Sequence, residues 1–363
     1  MAADEPPQPP AALPDGFDRD ALLLLASQHP AVRQDYALFT PAIDRLYATI
    51  KTWIENRITG GYVWGTPRLG KSRAVRYWLG ELIAAEPDPP AFFRTSYRAQ
   101  GQLTERAFFE EILAGLGHEL TNGRAAVLLE RLLQLFRIAA DDANGNHVVL
   151  VIDEAQNMTD AAWRYLCTVQ NRLDDGGVRL TVVSVGSHEL AYQHGAMVLA
   201  QDVHLTSRFM VQAVRFEGVQ SVEELEFVLR AYDEGSQWPP GTGIPYTLFF
   251  FPAGYESGFR LASHAAALWD VYRHQAGDGW ERDLEVAMEH VAHAVEHVFR
   301  WALRDGKACE PHVVLERRLL DEAVSQTGFS AYMRAIRPLT RPQVSALRAG
   351  GLRSGGRAAG VRR

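Results

Sequence analysis

Gly65-Thr66-Pro67-Arg68-Leu69-Gly70-Lys71-Ser72 sets a lysine and a hydroxyl directly after a turn bounded by glycines, with the spacing G-x-x-x-x-G-K-[ST]. Backbone N–H groups in such a turn converge on phosphate oxygens, helped by the positive end of the helix that follows. Lys71 then reaches the β/γ-phosphates and the Ser72 hydroxyl ligates Mg²⁺. A glycine-rich turn before an ordinary helix is the simpler alternative, and the flanks argue against it. Gly61-Tyr62-Val63-Trp64 reads as a short buried strand, and Ala74, Val75, Trp78, Leu79 and Leu82 fall at helical spacing over residues 72–83.

A second cluster completes that chemistry. Val148 to Ile152 is an unbroken apolar run ending in Asp153-Glu154. An apolar strand of this kind is buried on both faces, so Asp153 emerges at the carboxyl edge of the sheet, where ligands of open α/β sheets bind. Asp153 is placed to hold a Mg²⁺ hydration shell, and Glu154 to orient and deprotonate an attacking water. Phosphoryl transfer also needs positive charge at the γ-phosphate, and two arginines stand at element ends: Arg208 in Leu205-Thr206-Ser207-Arg208-Phe209, and Arg260 in Gly258-Phe259-Arg260. Ser187, after Gly186, is either a γ-phosphate or water contact or a helix N-cap.

The elements that must position these groups alternate strand and helix, which predicts an α/β fold with a five-stranded parallel sheet flanked by helices. The strands are expected at Gly61 to Gly65, Ala91 to Ser96, His147 to Asp153, Arg179 to Val185 and Met210 to Phe216. Helices are expected at Pro41 to Arg57, Thr104 to Leu116, Arg124 to Ala140, Asp160 to Leu173 and His188 to Gly195. Beyond Phe216 amphipathic stretches at 221–232, 256–275, 281–304 and 313–324 predict a helical region, with Tyr246 to Phe251 ambiguous between strand and helix.

The 363 residues exceed what one core usually supports, so a second, smaller region is expected. The expected division is 1–18 as a disordered Pro-rich N-terminus, 19–218 as the nucleotide-binding domain with an N-terminal helical extension, 219–335 as a helical lid, and 336–363 as a disordered tail. That tail carries seven arginines and no Asp, Glu or Lys, so the net charge of −7 conceals a more acidic body. A basic arm of this composition is expected to seek a polyanion or an acidic partner, or only to solubilise. The longest apolar run, Ala21 to Ala26, is far too short to span a bilayer, and the acidic, Pro-rich start is no secretory signal. Two cysteines, Cys167 and Cys309, are too few for a disulfide framework and suit a reducing cytoplasm.

The order of phosphate loop, Asp153-Glu154, polar Ser187 after the fourth strand, Ser207-Arg208-Phe209 before the fifth and Gly258-Phe259-Arg260 in a helical lid resembles the AAA+ ATPases over about residues 40–275. Within them, Ile152-Asp153-Glu154-Ala155-Gln156 and Val185-Gly186-Ser187 resemble the TnsC/TniB-type regulators of DNA transposition and, more distantly, ExeA-like secretion ATPases. Two positions depart from the pattern: Ser187 stands where many AAA+ proteins have Asn, and Gly-Phe-Arg replaces the commoner Gly-Asp-x-Arg.

The resemblance implies an AAA+ P-loop NTPase fold with a C-terminal helical lid, binding ATP with Mg²⁺ between subunits. Arg208 would act on a neighbour's site and Arg260 as a second sensor. It further implies a ring or filament around duplex DNA that recruits a transposase and is disassembled by hydrolysis. DNA-facing candidates are then Arg94, Tyr97, Arg98, Gln100 and Gln102 after the second strand, and Thr121, Asn122 and Arg124 ahead of the next helix. Arginine, threonine and glutamine in loops suit phosphate contacts, which position without reading sequence. Competing readings are a secretion-associated or protein-remodelling ATPase without DNA, a conflict-system signalling ATPase, for which a repeat region would be expected, and a small-molecule kinase.

Overall fold

The computed structural model describes residues 26–98, 103–280, 283–304 and 316–336. The Pro-rich residues 1–18, Gln100, Gln102, Cys309 and the arginine-rich 337–363 lie outside the described residues. Five parallel strands form one sheet in the order β2-β3-β4-β1-β5: β1 Gly60–Trp64, β2 Ala91–Ser96, β3 His147–Asp153, β4 Arg179–Gly186 and β5 Gln212–Arg215. β1 lies between β4 and β5, so the chain changes direction there and opens a crevice at the carboxyl ends of β1, β3 and β4. Their registers place these ends together: Trp64 pairs with Gly186, and Ile152 with Ser184.

Local sequence explains the helices that cover the sheet. Thr40 caps α1 (Pro41–Glu55) by accepting from the Ile43 N–H, and Pro41 stands where its missing N–H costs nothing. That helix buries Ile43, Leu46, Ile50 and Trp53, each contributing roughly 1.5–3 kcal/mol, against Val63, Val149 and Val183 of the sheet. The helix after the phosphate loop, α2 (71–84), shares this face and widens into a π-turn over Ala74–Leu79. On the opposite face α3 (Glu105–Gly115), α4 (Ala125–Asp142) and α5 (Asp160–Asp175) pack on Val148, Leu150, Ile152 and Val182. Threonines 104 and 159 cap α3 and α5 in the way that Thr40 caps α1. After β4, α6 (His188–Leu199) and α7 (Val203–Phe209) lead to β5.

The remainder is helical. It includes α8 (Val222–Arg230), α9 (Tyr246–Phe250), α10 (Ala265–Ala276), α11 (Met288–Arg304) and α12 (Arg317–Gln326) around a core of Leu225, Tyr232, Phe250, Tyr272, Phe299 and Phe329. The ambiguous segment from Tyr246 is thus helix, all five of its residues buried; an apolar run covered on every side carries no periodicity to read. Residues Ala26 and Ala31 pack into this helical core rather than onto the sheet, and the buried His29 ring stands 4.5–5.0 Å from four aromatic rings there. Burial lowers the pKa of His29 to about 3, so the ring is neutral.

A candidate nucleotide site between sheet and lid

The crevice at the carboxyl edge continues into a cavity of about 860 Å³ roofed by α11. One end is the phosphate loop. Gly65 admits the carbonyl of Phe216, which would lie 2.6 Å from a Cβ at that position. Gly70 holds φ 103°, a conformation that side chains strain to adopt. Arg68 also takes a left-handed φ of 70°, turning its carbonyl to the Glu289 N–H (3.2 Å) and its guanidinium to the Glu289 carboxylate (3.1 Å). Leu69 is buried in the core beneath the loop. Lys71 Nζ donates to the carbonyls of Gly65 (2.9 Å) and Thr66 (2.8 Å), so the ammonium is stored across the loop it serves. Burial lowers its pKa to about 8, against the opposing pull of Asp153, Glu154 and Glu285.

The acidic pair meets that loop. The Ser72 hydroxyl hydrogen-bonds the Asp153 carboxylate, which also accepts from the Glu154 N–H at 3.0 Å. Burial pushes Asp153 above the ordinary carboxylate range, with the bond from Ser72 opposing it. A hydroxyl and one desolvated carboxylate on an open crevice are the hard oxygen donors with which Mg²⁺ and its retained waters are held, so the residues fit that ion. No cluster of three or more His, Cys, Asp or Glu side chains suited to a metal occurs among the described residues. Glu154 is exposed, and its backbone is left-handed (φ 57°, ψ 32°), which turns its side chain out of the strand line. Ser187 lines the cavity and caps α6, its hydroxyl accepting from the Glu189 N–H at 3.2 Å.

The far end is built from segments that the motifs did not indicate. Gln34, Tyr36, Leu38 and Ile43 line it from the chain before the sheet, Phe216 from the end of β5, and Met288, Ala292, His293 and Glu296 from α11. Glu296 is 2 % exposed, and its carboxylate accepts from Gln34 Nε2 (2.6 Å) and Tyr36 Oη (3.0 Å). Tyr332, beyond α12, reaches back to donate to the Pro67 carbonyl at 3.1 Å and to the Thr66 hydroxyl at 3.3 Å. The amphipathic stretch at 281–304 was visible in the sequence, but nothing in it signalled that its polar positions meet the loop.

Two arginines end elsewhere. Arg260 is not among the residues lining the cavity. Its guanidinium lies 3.4 Å over the Tyr255 ring and donates to the carbonyls of Tyr255 (2.9 Å) and Phe259 (2.7 Å), while the buried Asp233 carboxylate accepts the next two N–H groups, of Leu261 and Ala262. Arg260 therefore fastens the lid's own turn and lies outside the residues that line the cavity. Arg208 sits in the last turn of α7, with its carbonyl accepting from the Thr59 hydroxyl at the start of β1. That is the opposite edge of the sheet from the loop after Trp64, about 16 Å away for five extended residues. Its guanidinium makes no ion pair or hydrogen bond among the described residues.

Of the DNA candidates, Arg94, Arg98 and Arg124 are exposed and Thr121 is half-buried on the α3–α4 connection. Tyr97 is 2 % exposed and packs toward Phe108, and the Asn122 carbonyl is held by Arg131 at 2.6 Å. Tyr97 is thus a core residue, because strand alternation turns it inward between exposed Ser96 and Arg98. No helix among the described residues is long and apolar enough to cross a membrane.

Sheet order, phosphate loop and acidic strand end together make a P-loop NTPase fold of the AAA+ class. Residues 58–193 match the family described as AAA domain. Among solved structures, the Aeropyrum pernix ORC2 protein (ADPNP-ADP complexes) is similar with a TM-score of 0.54 at 14 % identity, over 82 % of this chain and 71 % of that one. Drosophila ORC bound to DNA matches at 0.46 and 18 % identity (98 % and 78 % of the two chains), and domain III of Thermotoga maritima DnaA at 0.42 and 13 % (78 % and 95 %). The first of these three is a likeness of fold. No curated protein matches the chain.

Proposed function

We propose that this protein is an ATP-hydrolysing assembly switch that works on duplex DNA, each active site completed by a second copy of the chain. The reading rests above all on one observation: the loop, Ser72–Asp153 and Glu154 converge in one cavity, whereas Arg208 stands free at the far edge of the same sheet. In this reading the loop N–H groups and Lys71 hold the β/γ-phosphates, and the base end of the nucleotide lies under α11. Mg²⁺, held by Ser72 and Asp153 with its waters, supplies charge neutralisation on the phosphates. Glu154 aligns a water and accepts its proton. Ser187 contacts the γ-phosphate side, and Arg208 of the adjoining copy reaches the transition-state charge, an interaction worth ~10³–10⁵ in rate where such an arginine acts.

Support for DNA as the partner comes from Arg94, Arg98 and Arg124, exposed arginines without an ion pair among the described residues, with Thr121, Gln100 and Gln102 nearby in sequence. Such contacts neutralise phosphates without reading bases. A finer reading, recruitment of a transposase by the DNA-bound oligomer, rests on the resemblance of Ile152 to Gln156 and Val185 to Ser187 to the TnsC/TniB-type regulators. It places the protein in the cytoplasm, with the arginine-rich 337–363 docking on DNA or on an acidic partner face.

The test is electron microscopy with a non-hydrolysable ATP analogue, with and without duplex DNA. Rings or filaments that need both, that fail to form with Lys71→Ala and that dissolve as salt is raised from 50 to 200 mM, the range over which counterion release is steep, are expected. Equal assembly without DNA overturns the DNA reading. A copurifying transposase whose capture does not depend on ATP overturns the finer one.

A further inference from the structure

Gln156 lies two residues beyond the acid that Proposed function assigns as base, and no role assigned so far uses its side chain. Its amide spans two groups at the cavity wall. Nε2 donates to Glu154 Oε2 at 2.6 Å, and Oε1 accepts from the Ser187 N–H at 3.1 Å. The orientation of the amide is fixed by chemistry, because a carboxylate only accepts and a backbone N–H only donates. Its own carbonyl is held in turn by Gln193 Nε2 at 2.5 Å, from α6. A third observation is the space it occupies: a Cβ on Gly186 would come 2.5 Å from Gln156 Oε1. The last residue of β4 is therefore the one whose missing side chain admits this amide.

We infer that Gln156 is a positioning residue for hydrolysis, an amide bridge that ties the rotamer of Glu154 to the end of β4 so that one carboxylate oxygen is fixed and the other is left to take a proton from water. The inference rests on Glu154 being the base. The bridge answers a problem that the backbone creates, since left-handed Glu154 leaves the strand and is exposed, with no packing to choose its rotamer. It also joins the base to Ser187, so that a shift of the β4 end on nucleotide binding is passed to the catalytic carboxylate through one side chain.

Two substitutions separate this from a merely structural role. Gln156→Glu keeps an acceptor for the Ser187 N–H but can no longer donate to Glu154; Gln156→Ala removes both. Each is expected to lower kcat for ATP by roughly 10- to 100-fold, below the ~10²–10⁴ that loss of a general base costs, with KM and nucleotide affinity within about 2-fold. In a Glu154→Gln background, Gln156→Glu is expected to cost nothing further. If Gln156→Glu turns over like the unaltered protein while Gln156→Ala is impaired, the amide only supports the β4 end and the inference is overturned. It is overturned as well if KM and kcat change together. If instead Glu154→Gln itself hydrolyses ATP normally, the assignment of the base has failed, an outcome readable apart from any effect at Gln156.

Discussion

The two ends of the cavity are built in opposite ways. At the phosphate end, eight consecutive residues and one strand terminus carry the recognisable motif: Lys71 is tied to Gly65 and Thr66 within the loop, and Asp153 to Ser72 across the crevice and to the N–H of Glu154. At the lid end, Gln34, Tyr36 and Glu296 come from segments separated by 260 residues or more, and they meet through hydrogen bonds rather than through a motif. A site whose chemistry sits in one short motif and one strand end is prescribed by spacing, even where Glu289 and Tyr332 reach it from the helical region. A long-range one exists only when both halves of the chain are folded, and so its occupancy and its stability are linked.

The contrast can be broken or sharpened by four measurements. The largest effect is expected for Glu154→Gln: turnover reduced ~10²–10⁴-fold with ATP affinity retained, read by phosphate release alongside nucleotide titration. Unchanged turnover would remove the base from the phosphate end. Next, Glu296→Ala strips the acceptor from Tyr36 and Gln34 in a buried place, at a cost of about 2–4 kcal/mol in stability. Denaturant melts should show that loss together with weaker ATP binding, while kcat at saturating ATP stays within about 2-fold; a loss confined to kcat would erase the distinction between the ends.

The third is a pH effect at the phosphate end. Below about 8 Lys71 carries its charge, and above it the nucleotide-free protein loses that charge. Bound phosphates favour the ammonium, so above pH 8 binding takes up a proton and affinity falls as pH rises. Calorimetry near pH 9 in two buffers of different ionisation enthalpy should register the uptake, and equal heats would refute it. The smallest is Arg68→Ala. It breaks an exposed loop-to-lid ion pair and should lower stability by no more than about 1 kcal/mol, the usual upper worth of such pairs, read in a denaturant melt.

Legibility followed the same division. The five strands could be placed within two residues at each end because β3 holds a continuous apolar run, β4 is rich in valine, and the loop announces β1. Threonines 40, 104 and 159 cap three of the helices, a start signal that the apolar spacing alone did not use. What stayed hidden depends on distant pairing. Nothing in the local pattern around Glu296 or Tyr332 tells that they face residues 34 to 36 and 66 to 67. For Arg260, Gly-Phe-Arg fixes only a turn start, whereas the direction of its guanidinium is decided by Tyr255 and by the carbonyls around it. Tyr97 was misjudged because the alternation of β2 continues past its last paired residue.

The position of Arg208, one strand length from its own cavity, has an arithmetical consequence for the proposed switch. A lone molecule holds no finished site, a pair holds one, and an open row of n copies holds n−1, whereas a closed circle holds n. ATPase rate per molecule should then climb with protein concentration from near zero toward a plateau. The shape of that curve, fitted as (n−1)/n or as an abrupt step at closure, distinguishes an open row from a circle in a test tube without any image.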